Sequence, residues 1–231
     1  ELAASSIGDD ERIDAYLNIA KLYISYGLAP ETLGYLRLAE EIDPSIAENL
    51  EFVAIRGAAS FLMFRIEDSA KDLLETDFGV DPSIALWRAA VMSEQGKWDE
   101  SRQEFLLGAI ALLDLPVELR VRFQLMSANA ALKSGDLAGA ELELESIDPD
   151  EVKLSDISSG KLILGQARLK TGDRKGGLEI LKEVIDERFR PTWAKAQVSY
   201  TNALYKDKEI DVKEAIDNLE ELLFVWRGGD F

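Results

Sequence analysis

Lysine, threonine, aspartate and three glycines stand close together in residues 170–177, the segment that most nearly offers a phosphate-binding loop. Backbone amides of a glycine-rich loop can hold a phosphate when the loop joins a strand to a helix and carries its lysine and hydroxyl at set offsets. The residues before this segment show helical spacing of apolar positions, not strand spacing. The sequence therefore predicts a turn between two helices here.

Acidic clusters at residues 9–11, 40–43 and 141–151 are the next candidates, because carboxylates are the ligands that calcium prefers. None of the three has the alternating oxygen positions and central glycine of a calcium loop. Acidic residues are also favoured near helix starts by the helix dipole. We expect solvated acidic faces and no metal site.

Nucleophilic and redox chemistry is restricted by composition, because the chain has no cysteine and no histidine. Disulfides, thiolate zinc sites and cysteine nucleophiles are excluded. Ser155, Ser158 and Ser159 have no histidine that could activate them as in the usual serine triad. A pair of carboxylates could still hydrolyse glycosides, but the sequence singles out no pair. We predict no enzyme and no cofactor, with a carboxylate-based hydrolase on a helical toroid as a remote alternative.

The charge balance restricts the partners. The 231 residues include 44 acidic and 26 basic side chains, for a formal net charge of −18. Such a surface repels nucleic-acid phosphates and anionic lipid. The most apolar stretch, residues 52–64, is too short to span a membrane and contains Arg56. We predict a protein partner, no nucleic acid and no membrane insertion. The composition suits a bacterial cytoplasm or periplasm equally well.

Helical periodicity runs through almost the whole chain, and alternating strand patterns are nearly absent. The first stripe consists of Ile13, Tyr16, Leu17, Ala20, Tyr23 and Ile24. A glycine ends one stripe and precedes the next at four places, Gly27, Gly96, Gly135 and Gly172. A second set of breaks falls at prolines spaced 33 to 42 positions apart, Pro44, Pro82, Pro116, Pro149 and Pro191. A helix-pair period of this length is typical of a solenoid.

The pattern of small and bulky residues resembles the tetratricopeptide repeat, a helix pair of about 34 residues. In the first unit the matching positions are Tyr16, Ala20, Tyr23, Leu36, Ala39 and Pro44. The clearest local match is the turn at 135–140, Gly-Asp-Leu-Ala-Gly-Ala, with Ala128, Ala131 and Leu144 in register. Small residues are needed where the two helices of a unit cross most closely.

The resemblance implies an all-α fold, a right-handed α-α superhelix of about six helix pairs. We expect a single repeat domain over residues 1–231, as a fragment or mature part of a longer protein. The expected units are 13–44, 46–82, 83–116, 117–152, 155–191 and 193–227.

In the resembled family the first helix of each unit lines a groove that holds a partner segment. Carried over to this chain, the partner-binding residues would be Lys21, Phe52, Ile55, Leu62, Leu86, Arg122, Leu125, Asn129, Gln166 and Tyr200. Asn129 and Gln166 could bond a peptide backbone, and Arg122 could pair with an acidic side chain. The apolar helix at 50–64 is open to two interpretations, a buried layer or an apolar groove.

These observations favour a scaffold or adaptor that binds a peptide or helix of another protein. The alternative is a spacer within a longer solenoid, which the apolar Phe224 and Trp226 near the C-terminus would suit, since a terminal cap is usually polar. The sequence leaves the oligomeric state open.

Overall fold

The computed structural model describes residues 8–148, 150 and 152–225, and over these residues it is helical with no strand. Trp226 therefore lies outside the described residues. Within the described ranges the α-helices are α1 (Asp9–Ser25), α2 (Ala29–Ile42), α3 (Leu50–Leu62), α4 (Ile66–Leu74), α5 (Pro82–Glu94), α6 (Trp98–Gly108), α7 (Val117–Ser134), α8 (Leu137–Glu145), α9 (Leu154–Thr171), α10 (Arg174–Glu187), α11 (Arg190–Lys206) and α12 (Val212–Val225). Two 3₁₀ helices, Pro44–Glu48 and Ala109–Asp114, follow α2 and α6. The prediction of an all-α fold is confirmed.

The turns within the helix pairs follow from local sequence. Gly27, Gly96, Gly135 and Gly172 have φ of 74°, 73°, 91° and 90°, the left-handed conformation that glycine adopts without steric cost. After two of these turns an aspartate caps the next helix. Asp136 Oδ1 accepts the amide of Gly139 at 2.9 Å, and Asp173 Oδ1 accepts that of Gly176 at 3.1 Å. Residues 170–177 thus span the end of α9, the turn at Gly172 and Asp173, and the start of α10, so the predicted turn between two helices is confirmed.

Helices pack in chain order, as in an α-solenoid. Pairs joined by these turns contact each other extensively, as α1 does with α2 and α9 with α10. First helices of successive pairs also touch, since α1 contacts α3, α3 contacts α5, and α9 contacts α11. A pair cannot bury both of its apolar faces alone, so each depends on its neighbour.

Counted back from Pro82, the tetratricopeptide pattern predicts a small residue at position 58 where the two helices of the second unit cross. In the structure the crossing of α3 and α4 lies one residue earlier. That count gives Ala58 as the small residue, whereas Ser69 Oγ donates to the carbonyl oxygen of Gly57 at 2.8 Å. A Cβ added at Gly57 would lie 2.6 Å from Leu73 Cγ. The count is displaced because Pro82 begins α5 instead of closing the preceding unit.

The chain divides into two compact units, residues 1–123 and 124–231, and the division falls within α7. The first unit has a core on α1, α2 and α3 that includes Ile13, Leu17, Leu36 and Phe52. The second unit has one buried cluster around Ala128 and Ala167 and another around Leu162 and Leu181. The expectation of a single repeat domain over residues 1–231, with its six units, stays a prediction.

Candidate functional site

Three of the predicted groove residues are core residues. Phe52, Ile55 and Leu86 are 1%, 7% and 1% exposed. Phe52 and Ile55 belong to the core of the first unit, and Leu86 packs under α6, where it would meet a Cβ added at Gly108. A partner could reach these side chains only if helices separated. The burial of these three side chains does not support their assignment to a partner surface, and α3 is a buried layer and not an open groove.

Two other predicted residues of the first unit, Lys21 and Leu62, are exposed or partly exposed. Lys21, on α1, forms an ion pair with Glu51 on α3, and each side chain is nearly half exposed. Exposed pairs of this kind contribute little to stability. Leu62 is partly buried against the same core. Lys21 is therefore already engaged by a carboxylate of its own chain.

Arg122 has an unusual environment. It lies in the first half of α7, and its guanidinium carbon, Cζ, is 5.5 Å from the centroid of the Phe61 ring. Burial lowers the pKa of Arg122, and the charge of Glu94 opposes that shift. Among the described residues no carboxylate lies within ion-pair distance of this guanidinium. The group stays charged, since arginine does not lose its proton under ordinary conditions.

The Phe61 ring that contacts Arg122 is itself packed against other aromatic rings. Phe61 of α3 meets Trp87 of α5 with ring centroids 6.1 Å apart, and Trp87 meets Phe123 at 4.9 Å, both edge to face. Phe123 in turn contacts Phe105 with centroids 6.5 Å apart. Such edge-to-face pairs add to the stabilisation from burial. The support for Arg122 is therefore a continuous aromatic row across α3, α5, α6 and α7.

The sequence did not identify Trp87 or Phe61 as part of the site. Both fall at positions of general apolar periodicity, where a core role is the ordinary interpretation. The sequence does show large aromatic residues on both α3 and α5. A single sequence does not show, however, that these two helices pack so that the rings meet. The contact of Phe61 with Arg122, and of Trp87 with Phe61, depends on packing between three helices.

In the second unit the remaining predicted residues are partly buried. Leu125 packs against the Ala128 cluster, and Tyr200 packs against the Leu162 cluster. Gln166 Nε2 donates to Ser199 Oγ at 2.8 Å, so its amide joins α9 to α11. Asn129 is also partly exposed. In this unit Gln166 already uses one of its donors within the chain.

Within the described part of the chain, no group of three or more acidic side chains is arranged to hold a metal ion. No helix among the described residues is long and apolar enough to cross a membrane.

No profile of a known protein family matches this chain, and no curated protein matches it in sequence. Its structure is similar to that of a tetratricopeptide repeat protein from Parabacteroides merdae ATCC 43184, with a TM-score of 0.59. The likeness covers 93% of this chain and 80% of the other, at 10% sequence identity. Identity this low makes the comparison informative about fold alone. The chain thus has a tetratricopeptide-repeat-like fold, built from helix pairs stacked in chain order.

Proposed function

We propose that this protein is a non-catalytic scaffold that binds a segment of another protein, with Arg122 anchoring an acidic group of that segment. The observation that supports the proposal is the partly buried guanidinium of Arg122 without a carboxylate partner. The chain has 44 acidic residues against 26 basic ones, so internal partners for a cation are abundant.

Two other arginines of the first unit, Arg56 and Arg88, have carboxylate partners within the chain. Arg56 forms two hydrogen bonds with Asp72, at 2.8 and 2.7 Å, although Phe52 also lies 5.4 Å from its guanidinium carbon. Arg88 pairs with Glu104 at 3.3 Å. Arg122 has the ring contact without the carboxylate. A carboxylate supplied by a partner would complete the arrangement that Arg56 already has.

Partial burial strengthens such a contact. A guanidinium that has already lost part of its hydration gives up less water when a carboxylate binds, and the lower local dielectric increases the attraction. The contact with the Phe61 ring also orients the guanidinium before a partner binds, which lowers the ordering cost of binding. An extended or helical segment carrying one aspartate or glutamate among apolar residues has the complementary chemistry.

A displayed library of random peptides, selected on the wild-type chain, tests this proposal. We expect enriched peptides to carry an acidic residue next to apolar ones. Their affinity for Arg122→Met should fall by about tenfold or more, since a hydrogen-bonded charge pair is lost. Arg37→Met, which removes an exposed arginine on α2, is the matched control and should bind like wild type.

Two results would contradict the proposal. Enriched peptides that bind Arg122→Met as tightly as wild type would show that Arg122 is not the anchor. Failure to enrich any peptide would instead support the alternative of a structural spacer.

A further inference from the structure

The second half of α6 and the 3₁₀ helix after it expose four large apolar side chains within eight residues. Leu106, Leu107, Ile110 and Leu113 are between 55% and 71% exposed. We call these four residues the α6 apolar face. Isolated exposed leucines are common on protein surfaces, but a cluster of this size marks an interaction surface.

The segment is held firmly, so its exposure is not a consequence of loose packing. Phe105 is buried and contacts Phe123, and Gly108 lies so close to α5 that an added Cβ would be 2.6 Å from Leu86 Cδ2. The inward side of the segment is therefore fully used by the core. The α6 apolar face points the other way as a preformed surface.

Acidic side chains flank this face along the chain. Asp99 and Glu100 are exposed one to two turns before it on α6, and Asp114 and Glu118 are exposed just after it. Arg102 is buried, and Lys97 is the exposed basic residue at the start of α6, so the exposed charges near this segment are predominantly acidic. A ligand that covers the apolar residues therefore meets a predominantly acidic surface at both ends of the segment.

We propose that the α6 apolar face docks a basic amphipathic helix of another protein, one with an apolar stripe flanked by lysine or arginine. Complementary charge favours this occupant. An anionic membrane would be repelled by the acidic rim, and a second copy of this chain would set four carboxylates against the same four. The partner helix would carry apolar residues at positions i, i+3 or i+4, and i+7. This spacing places them along one side of that helix, where they can pack against the four side chains of the α6 apolar face.

This surface is separate from the proposed Arg122 anchor. It lies on the second helix of its pair and selects basic partners, whereas Arg122 selects acidic ones. A chain with both surfaces could hold two segments of opposite charge at once, as an adaptor would.

Fluorescence anisotropy with a labelled 18-residue peptide of leucine and lysine, with its leucines on one helical face, is the direct test. One control peptide has the same composition in an order without a stripe, and a second has glutamate in place of lysine. We expect the wild-type chain to bind the striped lysine peptide and neither control.

Four protein variants locate the binding. Leu107→Ser with Ile110→Ser should weaken binding about tenfold or more, and Asp114→Lys with Glu118→Lys should weaken it as well. Leu142→Ser with Leu154→Ser removes exposed apolar residues elsewhere and is the matched control, expected to bind like wild type. Arg122→Met should also bind like wild type, which separates this surface from the proposed anchor. Circular dichroism verifies that each variant is folded.

Three outcomes would overturn the inference. The first is unchanged binding by folded Leu107→Ser, Ile110→Ser. The second is equal binding of the glutamate peptide. The third is a wild-type dimer in sedimentation that this variant converts to monomer, which would make a second copy the occupant.

Discussion

The guanidinium carbon of Arg122 lies 5.5 Å from the ring centroid of Phe61, which places a cation of α7 against an aromatic ring of α3. Trp87 of α5 packs edge to face on the same ring. The first helices of three successive pairs, α3, α5 and α7, thus each contribute a side chain to this cluster. Cation–ring attraction partly offsets the loss of hydration, which explains how the charge is tolerated without a carboxylate.

Replacing Arg122 by methionine should leave the stability of the chain nearly unchanged. Methionine keeps much of the apolar stem and removes a partly desolvated charge, so we expect a free energy of unfolding within about 1 kcal/mol of wild type. Urea denaturation followed by circular dichroism measures it. A loss of more than about 2 kcal/mol would show that the charge is structural, and the role proposed for it in binding would then lack support.

Gly57→Ala should destabilise the first unit. The new methyl group would lie 2.6 Å from Leu73 Cγ and 3.0 Å from Asp72 Cβ, so α3 and α4 would have to separate. Overpacking of this kind costs about 1–3 kcal/mol. The matched control is Gly34→Ala in α2, where nothing lies within 4 Å of the added Cβ. There we expect stabilisation by about 0.5–1 kcal/mol, from the better helix propensity of alanine. Equal effects of the two substitutions in thermal denaturation would contradict a close crossing of α3 and α4 at Gly57.

Thr201→Val should stabilise the second unit or leave it unchanged. Thr201 is 1% exposed, and its hydroxyl has no hydrogen-bond partner among the described residues. Removing an unpaired buried hydroxyl relieves a desolvation cost of about 1–3 kcal/mol. In Thr192 the hydroxyl contacts Ser158 Oγ at 2.7 Å, so Thr192→Val should instead destabilise by about 1–2 kcal/mol. Chemical denaturation of both variants gives the comparison, and destabilisation by Thr201→Val would indicate an internal partner.

The carboxyl group of Asp43 should titrate at a lower pH than an ordinary aspartate. The backbone amide and the hydroxyl of Ser45 donate to its two oxygens at 2.9 and 2.8 Å, and these bonds hold the pKa of Asp43 below its usual value. Ionised Asp43 therefore favours the folded state above the unfolded-state pKa, and this contribution disappears as the pH falls through the folded-state pKa. Carbon-detected NMR titration measures the pKa. Ser45→Ala should raise it only in part, because the amide bond remains, and an unchanged value would contradict the role of the hydroxyl.

The helix pairs could be predicted because their signals are local. Gly27, Gly96, Gly135 and Gly172 end helices through a backbone conformation that depends on the glycine itself. Asp136 and Asp173 cap the next helices through amides three residues away. Such features need no information from distant parts of the chain, so the sequence determined where the helices on either side of these turns end and begin.

Which side chains face a partner was decided only by tertiary packing. Phe52 and Leu86 occupy positions that the repeat pattern assigns to a groove, yet both are buried. Conversely, Leu107 and Ile110 follow the same apolar periodicity as core residues, yet both are exposed. Periodicity places apolar residues on one side of a helix, but burial depends on which neighbouring helices cover that side. The sequence by itself determined the helices and their pairing, and the contacts between pairs decided the surface, because exposure is a property of the assembled stack and not of any single helix.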